Sequence, residues 1–491
     1  MMKPVYRVFL QLSVLIWLPV CHADCVYQEC FCSTIMIMCS DKNLQSIPHL
    51  NTSVTGPEWS LGIDGNNISS IPSGSLPSNL TFLYLQKNPI TTIADDSFDG
   101  SVNTLVEIYM SNSRFTKLPD AFGRLRTLTT LSITDTNITD WNDGVWNTLG
   151  QTLETLTLDN VGITKWPSWT TYFTKLTDLT VTGASFSTIP DNALEHVANS
   201  LTSLNLYNNR LTMIPKAISS MNNLQDLFIF QNHITDLTWL PLSSKLTTLS
   251  LSNNYISNAS HLSEALRPIS ASLSSLDIDN NFLTAIPDFS FLTNVNSMDL
   301  SHNRIYDSYS GHVAADTYLF DLSYNSLSLV PRLMSTLVSL QDVTLPYNAI
   351  KAIQETDFHS QVTSIDLGYN LITAITDTSF PHNFSLMYLQ LNNNPLTTIS
   401  PGALLRLPQL YELSLSHTQL TRLPLALSHV NSLVSLDVTN STSLVCTCQE
   451  SSLASWVLKL RPENVAGNCG QTSVYYFFST LSPFCPNGRS I

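Results

Sequence analysis

One eleven-residue phrase returns along nearly the whole chain and limits what the chain can fold into. It reads Leu-x-x-Leu-x-Leu-x-x-Asn-x-Leu, as in LTSLNLYNNRL from Leu201, and it returns from Leu224, Leu246 and Leu273. About seventeen units follow one another between Glu58 and the 440s, at spacings of about 22 to 27 residues. Fixed-period self-similarity of this length predicts a chain made of stacked copies of one structural unit.

Each unit contains a short strand with one buried face. Leu204 and Leu206 alternate with polar residues, which is the pattern of a half-buried strand. A single strand of this kind cannot bury its apolar side alone, so neighbouring units must stack into one parallel sheet. The phrase resembles that of the leucine-rich repeat family, over roughly residues 40 to 485. The resemblance implies that the Asn side chains form a buried ladder of hydrogen bonds to backbone groups.

The predicted fold class is an α/β repeat solenoid. The resemblance implies a curved leucine-rich repeat horseshoe, with a parallel concave β-sheet and an irregular convex side, capped by disulfides at both ends. On this basis the chain divides into five parts. They are a signal peptide at 1–23, an N-terminal cysteine cap at 24–50, the repeats at 51–440, a C-terminal cysteine cap at 441–485 and a tail at 486–491.

The cysteines lie at the two ends of the repeat array. Cys21 falls in the predicted signal peptide, and the others form two clusters: Cys25, Cys30, Cys32 and Cys39, then Cys446, Cys448, Cys469 and Cys485. Cys-x-Cys is also a metal-ligand spacing, but outside the cell disulfides are the expected state. The clusters resemble the caps of extracellular leucine-rich repeat proteins, which implies first-to-third and second-to-fourth pairing. Between the last cysteines, Leu453, Trp456 and Leu460 share one face of a predicted helix.

The first residues predict secretion. Lys3 and Arg7 flank the start of an apolar run that ends at Val20, and small residues follow at the cleavage positions. The run is shorter than the about 20 residues that span a membrane, so we expect a secreted, extracellular protein with no membrane span. Loss of Lys3 and Arg7 takes the formal charge from −15 to −17. This acidity argues against nucleic acid and anionic lipid as partners.

The repeat array changes character in its third to sixth units. The Asn position is held there by Ser113, Thr136, Val161 and Ala184. Val and Ala cannot make the ladder bond, so the geometry of this sector, residues 105–200, is open. Thr residues, including Thr134 and Thr182, occupy its predicted exposed strand positions, where β-branched side chains favour strand structure.

The concave face is the candidate binding surface. Its exposed strand positions carry aspartates and aromatics but neither Lys nor Arg. We predict that a ligand contacts the following residues: Tyr207, Asp226, Phe228, Phe230, Asp277, Asp299, Asp321, Asp342 and Asp366. Exposed aromatics are favoured interface anchors, and we also expect Tyr324, Tyr347 and Tyr369 to stack. The alternative is that Leu-Asp-Leu-Ser is simply the common wording of the repeat. A divalent-ion site on the aspartates is a further interpretation.

Seven Asn-x-Ser/Thr acceptors are predicted glycosylation sites. They are Asn51, Asn67, Asn79, Asn137, Asn258, Asn383 and Asn440. The sequence contains no catalytic constellation and no cofactor motif that we recognise. Asp277, Asp279, Asn281 and Asp288 mimic the spacing of a calcium loop, but Phe282 stands where that loop needs glycine.

The expected function is therefore recognition rather than catalysis. The layout resembles the ectodomains of Slit, the Nogo receptor, Toll-like receptors and variable lymphocyte receptors. It implies a secreted protein that binds a macromolecule, a protein that carries positive charge, on its concave face. The alternative is a structural extracellular-matrix, decoy or self-associating protein, for which a homodimer is the expected partner state. The fold itself does not choose between them.

Overall fold

The computed structural model describes residues 25–54, 56, 58–242 and 245–485. The predicted signal peptide and tail lie outside these residues. Within them the molecule is organised around one 20-stranded sheet. Its strands are Phe31–Cys32, Met36–Met38, Trp59–Gly62, Leu80–Tyr84, Glu107–Ser111, Thr130–Thr134, Thr155–Asp159, Asp178–Thr182, Ser203–Asn205, Asp226–Phe228, Thr248–Ser250, Ser275–Asp277, Ser297–Asp299, Leu319–Asp321, Asp342–Thr344, Ser364–Asp366, Tyr388–Gln390, Glu412–Ser414, Ser435–Asp437 and Val465–Ala466.

The strands pair in parallel, unit to unit, and in register. Leu204 faces Leu227, which faces Leu249 and then Leu276, and all four are buried. The first strand pairs antiparallel with the second, Phe31 opposite Met38. Because the central position of each strand is buried, the apolar side chains form one continuous layer behind the sheet. The predicted solenoid with a long parallel sheet is confirmed.

The convex side of the repeats and the C-terminal cap are built from short, varied elements. The α-helices are Asp143–Leu149, Ala259–Leu266, Ala454–Val457 and Val474–Tyr476, with a π-helical turn at Phe477–Leu481. The 3₁₀ turns are Asp99–Ser101, Asp120–Arg124, Ser168–Tyr172, Glu195–Val197, Lys216–Ile218, Arg267–Ile269, Arg332–Ser335, Leu425–His429, Cys448–Leu453, Pro462–Asn464 and Ser482–Phe484. Two-stranded pairs join Ser70–Ile71 to Thr92–Ile93, Asp288–Phe289 to His312–Val313, Ala374–Ile375 to Thr398–Ile399 and Asn468–Cys469 to Thr472–Ser473.

Proline sets the start of many of these turns. Pro119, Pro167 and Pro215 each stand immediately before a 3₁₀ turn, with φ between −61° and −75°. The proline ring holds φ in this range and favours extended structure in the residue before it, so the chain enters the turn in one direction. The convex helix Ala259–Leu266 is capped at its start by Asn258, whose side chain accepts a hydrogen bond from the N–H of His261.

The asparagine ladder is confirmed. Asn254 is buried, and its Nδ2 donates to the carbonyls of Ile229 at 3.1 Å and Leu251 at 3.0 Å. Its Oδ1 accepts the N–H of Ile234 at 2.9 Å. Each ladder side chain thus joins its own turn to the preceding unit and satisfies backbone groups that lie beneath the sheet. The same arrangement repeats at Asn66, Asn88, Asn209, Asn232, Asn281, Asn303, Asn325, Asn348, Asn370 and Asn394.

The sector without asparagines satisfies its backbone groups in other ways: the hydroxyl of Thr136 accepts the N–H of Ser113 at 3.2 Å, and at Val161 the backbone itself pairs. The N–H of Ile138 donates to the carbonyl of Val161 at 3.1 Å, where other units use an Asn side chain. Its strands are also longer: the Thr130 and Thr155 strands pair over five residues, against three in most later units. Thr182 is buried, so its predicted exposure is wrong. Its hydroxyl donates to Asp159 at 2.7 Å, which lets a polar side chain fit beneath the turn.

The two caps close the ends of the array. Disulfides join Cys25 to Cys32, Cys30 to Cys39, Cys446 to Cys469 and Cys448 to Cys485. The pairing implied by family resemblance, first to third and second to fourth, is confirmed in both caps. Leu453 and Trp456 are buried against the last repeats, and the indole N–H of Trp456 donates to the carbonyl of Val430 at 2.9 Å. The C-terminal cap therefore covers the apolar end of the core.

Candidate functional site

Three rows of side chains run across the concave face. The first and second rows flank the central buried residue of each strand, and the third lies two residues after the second. In the strand at Asp226–Phe228, Asp226 belongs to the first row, Phe228 to the second, and Phe230 follows in the third. The nine predicted ligand contacts all fall in these rows and are all half-buried.

The second row contains a run of aspartates that we call the acidic row. Asp277, Asp299 and Asp321 stand on three successive strands and are direct neighbours, Asp277 opposite Asp299 and Asp299 opposite Asp321. Like charges in this position destabilise a sheet by about 0.2–1 kcal/mol per pair. Among the described residues, the ion pairs found within 4 Å involve other carboxylates. Within the part of the chain that the structure describes, no ion pair therefore neutralises the acidic row.

The aspartates also have a local structural role. Asp299 and Asp321 each accept a hydrogen bond from the backbone N–H two residues later, at 2.9 and 2.8 Å, and Asp366 does the same with Gly368. This bond caps the turn after the strand. It explains why Leu-Asp-Leu-Ser recurs as wording of the repeat. One carboxylate oxygen is used in this way, and the second is left for other partners.

Burial raises the pKa of two carboxylates of the acidic row, Asp277 and Asp321. It raises the pKa of Asp321 above the ordinary value, although the N–H of Ser323 opposes the rise. Burial likewise raises the pKa of Asp277; a hydrogen bond from Ser250 opposes the rise, and the charge of Asp299 adds to it. The cause is the same in both cases, because a half-buried carboxylate loses hydration when charged.

Two of the three predicted aromatic anchors stack on each other. Tyr207 and Phe230 lie in the third row with ring centroids 4.8 Å apart and planes 1° from parallel. Phe228 stands beside them in the second row, between Asn205 and Ser250 of the neighbouring strands. Together the three rings form one aromatic patch, two strands away from the first residue of the acidic row.

The structure separates the remaining predicted contacts from the acidic row. Asp366 follows it in the second row but is divided from Asp321 by Thr344. Asp342 lies in the first row, between Leu319 and Ser364. Asp226 also lies in the first row, between Ser203 and Thr248. Burial raises the pKa of Asp366 as well, with the N–H of Gly368 opposing.

Aromatic rings also line the edge of the sheet at the carboxyl ends of the strands. Tyr324, Tyr347 and Tyr369 stack as expected, with centroids 4.1 Å apart, and His302 extends the stack at the same distance. All four residues have φ between 52° and 56°. This is a left-handed backbone conformation that is unusual for bulky residues. Hydrogen bonds with Tyr369 and Tyr324, together with loss of hydration, raise the pKa of Tyr347.

The predicted glycan acceptors lie off the binding rows. In the described part of the chain, none of the seven stands on a strand position that flanks the central buried residue. Asn79 precedes a strand and Asn440 follows one. The described residues also contain no group of three or more His, Cys, Asp or Glu side chains that could hold a metal ion. None of their helices is long and apolar enough to cross a membrane.

The family known as Leucine rich repeat matches three segments of the sequence, residues 78–138, 174–234 and 360–420. The matched segments contain strands and convex turns of the kind that recur through the described residues. The chain is a leucine-rich repeat protein. Its paired cysteines place a disulfide-bonded cap at each end of the repeats.

Known proteins share this architecture over different lengths. A 112-residue segment is 29% identical to mouse leucine-rich repeats and immunoglobulin-like domains protein 2, spanning 22% of this chain and 10% of that protein. The match to the solved TLR13–ssRNA13 complex covers 82% of this chain and 64% of the TLR13 chain, with a TM-score of 0.60 and 20% identity. The match to YopM from Yersinia enterocolitica covers 83% of this chain and 87% of the YopM chain, with a TM-score of 0.51 and 19% identity. At these identities the structural likeness concerns the fold.

Sequence reasoning did not find every clustered side chain of this leucine-rich repeat protein. His302 looks like an isolated surface histidine in the sequence, whereas the fold stacks it on Tyr324. Tyr255, Phe282 and Arg304 lie in contact, although they are spread over three units. All three directly follow a ladder asparagine. Aligning the repeats on that asparagine is the signal that would have found them.

Proposed function

We propose that this secreted leucine-rich repeat protein binds a positively charged protein on its concave face between Tyr207 and Asp366. The acidic row carries the proposal, because three neighbouring half-buried carboxylates form a concentrated negative field without a cation. Such a field steers a basic partner and speeds encounter. The role is recognition without catalysis. Two disulfide-bonded caps support an extracellular location, since such bonds persist in oxidising compartments.

The aromatic patch supplies the second part of the proposed contact. Tyr207, Phe228 and Phe230 are half-buried, so a partner could complete their burial. Aromatic side chains that become fully desolvated at an interface commonly dominate its binding energy. The patch lies toward the N-terminal side of the acidic row along the same face. The proposed partner therefore places an apolar segment on the patch and basic side chains over the acidic row.

A protein partner is preferred over nucleic acid on electrostatic grounds. The TLR13 structure contains single-stranded RNA, yet the acidic row would repel a phosphate backbone across this face. We propose that the concave face of this chain excludes nucleic acid. Binding of single-stranded RNA that is lost when Asp277 or Asp299 is replaced would contradict this.

The two parts of the contact can be tested separately. Affinity capture with the glycosylated protein would first supply a ligand, and poly-lysine serves meanwhile as a cationic probe. Phe228→Ala with Phe230→Ala should mainly speed dissociation of the captured ligand, by a factor that corresponds to about 1–3 kcal/mol. Asp277→Asn with Asp299→Asn should slow association and flatten its salt dependence. The same Asp pair should weaken poly-lysine binding.

A matched control removes the same charge elsewhere. Asp95→Asn with Asp143→Asn changes the net charge equally, outside the three concave rows. Association that slows equally in both pairs would indicate a net-charge effect. If neither concave pair changes binding while substitutions on the convex side do, the concave assignment is wrong.

Self-association is the second candidate, and one observation favours it. The first strand, Phe31–Cys32, forms an edge of the sheet, and Phe31 is 60% exposed. Ile35, in the turn that follows, is 59% exposed and precedes Met36 and Met38 of the second strand. An exposed apolar sheet edge can pair with a second copy. Sedimentation over a range of concentrations tests this: a dimer that is lost in Phe31→Ser with Ile35→Ser would support self-association. A monomer at all concentrations would contradict it.

A further inference from the structure

A groove runs along the edge of the sheet, beside the concave face. It has a volume of about 610 Å³ and crosses five repeats, at the carboxyl ends of their strands. One wall is formed by the residue before each ladder asparagine: Asn208, Gln231, Asn253, Asn280 and His302. The other wall is formed by the residue after it: Arg210, His233, Tyr255, Phe282 and Arg304. Its volume is typical of ligand sites.

Four of the five residues of the second wall, from His233 to Arg304, form one continuous stack. His233 packs on Tyr255 with centroids 5.1 Å apart, and Tyr255 meets the edge of Phe282 at 5.3 Å. The guanidinium of Arg304 lies over Phe282, 4.1 Å from the ring centroid. This cation–π contact fixes the arginine side chain while its N–H groups stay free to bond an anion. Arg304 is thus held in place for a ligand before one arrives.

The groove has the opposite charge character to the protein as a whole. The chain has a formal charge of −15, yet of the residues that line this groove none is Asp or Glu. Arg210 and Arg304 have no ion pair within 4 Å among the described residues. Asp279 lies just outside the lining, held by hydrogen bonds from Ser252 and Asn280. Two arginines are therefore left for an anionic ligand.

The first wall offers hydrogen bonds of both kinds. The side chains of Asn208, Gln231 and Asn253 are exposed, and no hydrogen-bond partner is found for them within the described residues. An amide carries two donor hydrogens and an acceptor oxygen. A row of amides one strand apart suits a ligand with many hydroxyl groups. We propose that the groove binds an oligosaccharide that carries sulfate or carboxylate groups.

The geometry disfavours two other anionic ligands. Bases of a single-stranded nucleic acid stack on free aromatic faces, whereas Tyr255 and Phe282 already have His233, Arg304 and each other against their faces or edges. An acidic peptide that adds to a sheet needs unpaired backbone groups. Here the N–H of Ile234 is already bonded to Asn254. An oligosaccharide requires neither free aromatic faces nor unpaired backbone groups.

Binding of defined oligosaccharides tests the site. Immobilised protein would be titrated with a heparin hexasaccharide, an uncharged maltohexaose and a single-stranded oligonucleotide. We expect saturable heparin binding that Arg210→Ala with Arg304→Ala weakens at least tenfold, and that Phe282→Ala also weakens because Arg304 loses its support. Arg124→Ala with Lys216→Ala removes equal charge outside the groove and should weaken heparin binding less than twofold. The groove double variant and the control double variant should both keep the wild-type midpoint of thermal unfolding.

Three outcomes would overturn the proposal. They are absence of saturable heparin binding, equal losses in the groove pair and its charge-matched control, or an oligonucleotide that binds as tightly with the same dependence on Arg304. Arg210→Gln with Arg304→Gln provides a second groove variant if the alanine pair does not fold. The concave pair Asp277→Asn with Asp299→Asn should leave heparin binding unchanged or slightly tighter. Failure of the groove is thereby distinguished from failure of the concave site.

Discussion

At the scale of single residues, an acidic side chain under a convex turn makes stability depend on pH. Burial raises the pKa of Asp357 to about 6, and its hydrogen bond from the N–H of Gln354, at 2.7 Å, opposes the rise. The folded protein therefore favours the protonated acid. The stabilisation is fully present below the ordinary pKa of 3.8 and is lost as the pH rises through about 6.

Asp357→Asn should remove this dependence. The amide oxygen can still accept the bond from Gln354, but the side chain no longer has to be charged above pH 6. We expect the variant to be more stable than wild type at pH 7.5 and to lose that advantage near pH 4. Urea unfolding at several pH values measures it. Asp316→Asn, an exposed site, is the control, and a constant difference across pH for Asp357→Asn would contradict the assignment.

At the scale of the repeated element, the residue at the ladder position satisfies backbone groups in different ways in different units. Asn254 bonds three backbone carbonyls and one N–H, whereas at the equivalent Val161 the backbone carbonyl itself accepts the N–H of Ile138. The strand of that sector is two residues longer. The ladder is therefore one of two solutions to the same need, which is to satisfy backbone groups beneath the sheet.

A reciprocal exchange tests this interpretation. Asn254→Val should destabilise the fold by about 1–3 kcal/mol for each backbone group left unpaired. Val161→Asn, although it restores the family wording, should also destabilise by about 1–3 kcal/mol, because it buries an amide where the N–H of Ile138 is already bonded. Asn254→Thr should recover part of the loss, since Thr418 uses its hydroxyl in this way. Urea unfolding compares the three variants, and a stabilised Val161→Asn would refute the argument.

The repeat explains what sequence could and could not predict. Alternating leucines and a recurring asparagine determine register, so the burial of Leu204 and the tyrosine stack could be predicted from spacing, whereas the ladder was implied by the family resemblance. Alignment of the repeats on the asparagine would also place Phe282 and Arg304 in one row, but their cation–π contact and the groove depend on side-chain directions that spacing does not give. The burial of Thr182 was missed for a similar reason. A hydrogen bond to Asp159 in the neighbouring unit, unseen in sequence, allows a polar side chain inside.

At the scale of the whole molecule, the repeats form a linear array in which contacts are made mainly between neighbouring units. Each repeat packs on the units before and after it, so damage at one end should spread a short distance. The disulfide between Cys448 and Cys485 holds the C-terminal cap, whose Trp456 bonds the last repeats. The disulfide between Cys25 and Cys32 does the same for the N-terminal cap, far along the array. The two bridges therefore provide a matched pair of local perturbations.

Removal of either bridge should loosen the nearest repeats alone. Loss of a native disulfide costs about 2–5 kcal/mol, and about 1.4 kcal/mol corresponds to a factor of ten. Cys448→Ser with Cys485→Ser should therefore raise amide exchange at least tenfold in Glu412–Ser414 and Ser435–Asp437, and leave Trp59–Gly62 unchanged. Cys25→Ser with Cys32→Ser should give the reverse pattern. Hydrogen–deuterium exchange with mass spectrometry resolves the two ends, and exchange that rises along the whole array in either variant would show that the repeats unfold as one cooperative unit instead.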